Sequence, residues 1–297
     1  MIAAAVAVSA WGASSVVAKV VSLGALAIGA YRFAAYFVII SLWRAARGQY
    51  LSWRAFKHSL VGGVLLAIDV ALFFTAVKLT TVVNATIIGS LQPLILTLYG
   101  VRFLGERVSR KDVMLGLAGL AGVAVIVFAG TNSGDASLLG DLTAVGALLA
   151  WSAYFVFAKR ADGIVSPTDY TLAASLIVVL VSAPLALAFG QSLAWPSWSD
   201  WGWLLLMALG AGILGHNLMN WSLPRIPLWL GSTMTLMVPV TSSAIAWVFL
   251  DEPLNAVQII AMIWVIIALG LLVRGQTSAP TAAASTTTAT STNAQEG

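Results

Sequence analysis

Ten stretches of about twenty mostly apolar residues, joined by short polar connections, leave this chain few ways to fold. At about 1.5 Å of rise per residue, each can cross a hydrocarbon core of about 30 Å as an α-helix. Inside lipid a helix satisfies its own backbone hydrogen bonds, which an open strand or loop cannot do. The stretches are residues 2–19, 25–43, 59–77, 82–101, 113–130, 138–157, 170–189, 202–221, 228–249 and 256–273. Asp, Glu, Lys and Arg make up only 9% of the chain, against about 25% in a soluble domain. The sequence therefore predicts an all-α integral membrane protein with ten transmembrane helices.

Lys and Arg resist translocation and gather in cytoplasmic connections. With the N-terminus inside, those connections hold Arg44, Arg47, Arg54, Lys57, Arg102, Arg107, Arg110, Lys111, Lys159, Arg160, Arg225 and Arg274, twelve of the fifteen basic residues. The opposite side collects Asp135, Asp141, Asp200, Asp251 and Glu252, and Trp195, Trp198, Trp201 and Trp203 read as an interfacial belt there. The net charge of +4 is thus explained by topology rather than by a nucleic-acid partner, and both termini are expected on the cytoplasmic side. The apolar run from Met1 lacks the basic start and cleavage site of a signal peptide and is expected to be retained.

Two short segments occur twice. "AWGASSVVAK" at residues 10–19 and "AWSAYFVFAK" at residues 150–159 each place a Lys eight residues after a Trp. Pro93 precedes Glu106 by the same interval as Pro239 precedes Glu252, about 20 Å of helix, which would deliver each Glu to the water interface. A repeat of five spans is odd, so the second copy enters from the opposite side. The expected architecture is a 5+5 inverted repeat around a central cavity, with residues 1–130 as the first half, 138–274 as the second and 275–297 as a disordered cytoplasmic tail. Inverted repeats give secondary transporters two alternative states from one fold.

The units "PLILTLYGVRFLGERVSRKDVMLGLAGLAGVAVIV" and "PVTSSAIAWVFLDEPLNAVQIIAMIWVIIALGLLV" resemble the drug/metabolite transporter superfamily in its ten-helix EamA-type branch, over roughly residues 1–274. The first unit carries the Gly-Glu dipeptide and Gly-rich helix of that branch; the second has Asp251 in place of Gly and Met262 opposite Gly116. The resemblance implies export of amino acids and related metabolites by alternating access, with the bacterial aromatic amino acid exporters as the nearest members. The alternative cargo is a cationic or amphipathic drug, or another small polar metabolite.

Charge deep in a span is costly and usually faces a cavity or a partner. Asp69 lies mid-span and Arg32 in the outer third of its span. Asp69 can bind an ammonium group or carry a proton while Arg32 steers a carboxylate, or the two can simply pair. Trp11 and Ser15 share a helix face, as do Trp151 and Phe155, with Tyr154 beside them. Asn84 and Gln92 in the fourth span, and His216, Asn217 and Asn220 in the eighth, complete the expected substrate-binding set. Each can alternatively serve only to hold helices together. Lys19 and Lys159, at span ends, are expected to snorkel to the interface. Pro93 and Pro239 remove backbone donors mid-span and are expected to act as gating hinges.

No cysteine is present, and the two histidines lie far apart, so neither a thiolate nor a clustered metal site is expected, and no cofactor. A membrane-embedded enzyme would need a Ser with a His base, paired aspartates or a metal motif. Asp69 is the only deep acid. A channel would need a charged or carbonyl-rich filter. The expected partners are a small-molecule substrate and the bilayer, with transport driven either by protons or by the substrate's own gradient and the chain acting as a monomer.

Overall fold

The computed structural model describes residues 1–79, 88–129, 137–249 and 253–277, without the side chains of Ser15, Lys19, Phe74, Val77, Lys78 and Thr277. Among these residues every regular element is a helix: α1 (Ile2–Val20), α2 (Ala25–Ala45), α3 (Trp53–Leu79), α4 (Gln92–Phe103), α5 (Arg110–Ala129), α6 (Leu138–Arg160), α7 (Pro167–Ala188), α8 (Trp198–Arg225), α9 (Leu228–Phe249) and α10 (Ala256–Thr277). All but α1 and α4 are long and apolar enough to cross a membrane within their described residues. The first half of the predicted fourth span, with Asn84, falls at residues 80–87, outside the described residues, as does the tail from residue 278.

Four helix starts carry reciprocal capping boxes, in which a side chain on each residue satisfies the other's orphan N–H or hydroxyl. Ser109 and Asp112 open α5, Ser166 and Asp169 open α7, Ser197 and Asp200 open α8, and Asn255 and Gln258 open α10. The α3 helix begins earlier than its apolar run, taking in Arg54, Lys57 and His58, because Ser52 Oγ accepts from Ala55 N at 3.1 Å and so fixes the start in the water layer.

α3 lies between α6 and α7, α2 packs on α7, and α1 packs on α8 and α9. The start of α9 rests on α4, and α5 and α10 pair with each other beside α9. Gly122 of α5 faces Val265 and Trp264 of α10, and Trp264 Nε1 donates to the Ala118 carbonyl at 3.0 Å, so the small residues of α5 serve a contact within the chain. The main core draws on Val8, Phe33, Leu66, Leu96, Phe155, Tyr170, Met219 and Trp229, from α1, α2, α3, α4, α6, α7, α8 and α9. Around it the outward faces stay apolar, as at Leu98, Met114 and Phe249, which suits lipid and not water. Of the expected tryptophan belt, Trp195 and Trp198 stand out from the surface, whereas Trp201 turns in against Tyr31.

The connection between α7 and α8 reaches over to the other half of the chain. Gln191 Oε1 accepts from Leu26 N at 3.0 Å and Ala27 N at 3.3 Å, capping α2 from outside its own sequence. Asp200 accepts from Ser22 N at 3.0 Å and Ser22 Oγ at 2.8 Å, tying the α1–α2 connection to α8. Gln191→Ala leaves the two α2 amides without their side-chain acceptor, and a lost cap is worth about 1 kcal/mol. A fall of a few degrees in the melting midpoint in detergent is expected; no change would mean that water replaces the cap without loss.

Candidate functional site

The two repeated tryptophans meet. Trp11 of α1 and Trp151 of α6 pack edge to face with centroids 5.0 Å apart, and Phe155 and His216 close around them. Tyr154 stacks on Trp151 at 5.4 Å, and Phe33 touches His216 from α2. The close approach depends on α8, because a Cβ on Gly215 would lie 2.5 Å from Trp11 Nε1 and one on Gly212 would lie 2.5 Å from the Tyr36 ring.

α8 is not a plain α-helix here. Residues Ala208–Asn217 form a π-helical segment, which widens the turn and sets His216 and Asn217 at its inner end. The sequence signal for this was the glycine cluster at 210, 212 and 215, which apolar periodicity does not read.

Polar groups ring the aromatic wall. Arg32 Nη1 donates to Ser14 Oγ at 3.3 Å, and Arg32 Nη2 lies 3.3 Å from His216 Nε2. A guanidinium can only donate, so Nε2 accepts, and the imidazole proton belongs on Nδ1. Asp69 lies within electrostatic range of both Arg32 and Tyr154. Its carboxylate makes no hydrogen bond or contact ion pair among the described residues, and the residue is only half-buried. Asn220 Nδ2 donates to Tyr154 Oη at 2.7 Å and to Thr171 Oγ1 at 2.9 Å, bridging α6, α7 and α8. At the edge of this region Thr235 Oγ1 donates to Gln92 Oε1 at 3.2 Å.

Several of these groups are buried with polar atoms unmatched: His216 Nδ1, Asn217 Oδ1, Asn220 Oδ1, Gln92 Nε2, Tyr36 Oη and Tyr170 Oη have no partner among the described residues. Buried polar atoms are rarely left so, and a cluster of them marks a place for water or a polar ligand. The structure thus brings Trp11, Trp151, Tyr154, His216 and Asn220 into one contact network, with Asn217 next to His216 in α8 and Asp69 within electrostatic range, while Gln92 is bonded to Thr235 between α4 and α9. Ser15 has its side chain, and Asn84 its whole residue, outside the described residues. Arg32, Ser14 and Thr171 join the set.

Two expectations change, those for Lys159 and Glu106. Lys159 does not snorkel: its Nζ lies 3.0 Å from Glu106 Oε1 and donates to the Ile226 carbonyl at 2.6 Å, because a carboxylate and a carbonyl inside the bundle offer better partners than the interface. Glu106 is accordingly folded back rather than delivered to water, with its side chain 11% exposed. Pro93 stands just after a break: residues 88–89 are helical, Ser90 and Leu91 form a turn, and α4 starts at Gln92 with Pro93 in its first turn, where the missing N–H is an orphan anyway. Pro239 likewise follows a 3₁₀ segment, Met234–Leu236, in the first turn of the helix that completes α9. Lys19 Nζ and Glu252 lie outside the described residues.

Comparison with known proteins adds the following. The aromatic amino acid exporter YddG of Ancylobacter novellus is 30% identical over 154 residues, 51% of this chain and 52% of that protein. The uncharacterized transporter YyaM of Bacillus subtilis is 28% identical over 208 residues, 66% of each chain. The threonine/homoserine exporter RhtA of Escherichia coli is 29% identical over 134 residues, 45% of this chain and 44% of that one. The chain therefore spans about half the length of the two named exporters. A solved crystal structure shares the fold with a TM-score of 0.76 at 21% identity, covering 91% of this chain and 96% of that one. The description of the EamA-like transporter family matches residues 1–128 and again residues 138–274, and on that evidence this chain, whose long helices are built for lipid, belongs to the EamA-like transporter family.

Proposed function

We propose that the chain exports neutral amino acids, aromatic ones included, across the bacterial inner membrane. The substrate carboxylate meets Arg32, the ammonium meets Asp69, and the side chain lies against Trp11, Trp151 and Phe155. The observation that carries this reading is the separation of Arg32 from Asp69: two opposite charges share one region without a contact ion pair, beside an aromatic wall and unmatched polar atoms. A zwitterion with an apolar side chain fits that pattern. Recognition of amino acids by the two named exporters supports the substrate class. A cationic drug would find Asp69 but would also face the Arg32 charge.

The mechanism proposed is alternating access between two inverted halves of five spans each. Neighbour relations support it, because the main contacts recur with both helices shifted by five. α3 on α6 is matched by α8 on α1, α3 on α7 by α8 on α2, and α1 on α9 by α6 on α4, while α2–α7, α4–α9 and α5–α10 pair with their own counterparts. The double family match supports the same division. Pro93 and Pro239 are the proposed hinges of α4 and α9 in this cycle, and the Lys- and Arg-rich connections mark the cytoplasmic face.

In proteoliposomes, counterflow of labelled phenylalanine is expected to saturate and to be competed by threonine but not by a quaternary ammonium dye. Dye movement without amino acid exchange would move the assignment to drug export, and running the assay with and without a pH gradient reads whether a proton accompanies the substrate.

A further inference from the structure

The ends of α4, α6 and α8 meet the start of α9 in one polar knot on the Lys- and Arg-rich face. It is built by local sequence. Gly105 adopts φ +64, a left-handed conformation that ends α4, and Glu106 N then donates back to the Gly100 carbonyl at 3.0 Å. The turn folds the Glu106 carboxylate over Gly100, where a Cβ would sit 2.5 Å from Oε2. From there Glu106 takes Lys159 Nζ at 3.0 Å, Leu228 N at 2.7 Å and Trp229 N at 3.3 Å. One carboxylate therefore pairs an ammonium and caps the N-terminus of α9, where negative charge is favoured. Lys159 completes the ring by donating to the Ile226 carbonyl at 2.6 Å.

We propose that this knot is the gate between the site and the Lys- and Arg-rich face, with Glu106 and Lys159 as the positioning residues that hold it shut. The proposal rests on the transporter reading but is read out separately from it. Two features argue for a gate rather than a fixed staple. First, a single carboxylate joins α4, α6 and α9, so releasing Glu106 frees the ammonium and both amides together, and they can part only if water enters behind them. Such an arrangement has two states and little between. Second, Lys159 stands one and two further steps of i+4 along the α6 face that carries Phe155 and Trp151, so a shift of the aromatic wall is transmitted along a rigid helix to the knot.

The chain has no cysteine, so one introduced thiol reports without background. Thr235 lies on α9 about 10 Å of helix inward from Leu228, on the site side of the knot. A membrane-impermeant maleimide would be applied to Thr235→Cys in vesicles, from each face in turn. Glu106→Gln and Lys159→Met, each combined with Thr235→Cys, are expected to speed labelling from the Lys- and Arg-rich face at least tenfold without speeding it from the other, whereas Lys159→Arg stays near the parent rate. An unchanged rate in both variants overturns the proposal. So does an equal rise from both faces, which is the behaviour of a loosened bundle. The experiment moves no amino acid, so its failure leaves the substrate reading to be judged by counterflow alone.

Discussion

Arg32→Gln should lower phenylalanine counterflow at least a hundredfold while the protein still inserts and folds. Arg32 holds Ser14 Oγ and His216 Nε2, both at 3.3 Å, and so presents its charge from a fixed position. Truncating one member of a desolvated charge pair costs about 2–5 kcal/mol, much of it from the charge left behind, and about 1.4 kcal/mol is a factor of ten. The stripped charge would be the substrate carboxylate if Arg32 binds cargo, and Asp69 if Arg32 serves only to neutralise it. The double variant Arg32→Gln/Asp69→Asn separates these two cases. A merely structural pair would be relieved by removing both charges, so stability and counterflow would recover together. A substrate clamp would lose both of its ends, and counterflow would stay abolished however stable the protein became. Wild-type counterflow in the double variant would end the zwitterion reading.

Much of the fold could be read from the apolar runs because length and hydropathy alone decide what a helix does in lipid. The runs at 228–249 and 138–157 correspond closely to α9 and α6, and α2 and α10 extend the runs only by a few polar residues. Helix ends were harder, since they are set by hydrogen bonding rather than hydropathy. The S-x-x-D units at Ser109, Ser166 and Ser197 mark three starts that an apolar count places several residues late. The two ends of the repeated Trp-to-Lys element make different contacts: Trp151 packs on Trp11, and Lys159 pairs with Glu106. No spacing rule couples Lys159 to Glu106, because they stand 53 residues apart and their meeting is a property of the packed bundle. The π-helical segment had only the glycines at 210, 212 and 215 as a signal, and glycines permit it without requiring it.

Gly12→Val should be the most damaging single substitution outside the charged site, with an expected fall of about ten degrees in the melting midpoint and loss of counterflow for every cargo. Gly12 is where α1 crosses α9. A Cβ there would stand 1.9 Å from Thr241 Oγ1 and 2.9 Å from both Thr241 Cβ and the Val238 carbonyl oxygen. Thr241 can rotate away, although its hydroxyl now reaches the Met237 and Val238 carbonyls at 3.1 Å each. The Val238 carbonyl cannot, because it is backbone of α9. The helices must therefore separate, and overpacking of this kind costs about 1–3 kcal/mol before the two extra methyl groups are counted. Separation also carries Trp11 away from Trp151 and His216, so packing and cargo recognition fail through one displacement. Thr241→Ala in the Gly12→Ala background tests the cause: it removes the 1.9 Å clash but not the carbonyl contact, and so should restore only part of the lost stability. Full restoration would show that the threonine hydroxyl alone sets the approach of α1 to α9, and a Gly12→Val protein with an unaltered midpoint would show that the crossing is looser than these distances require.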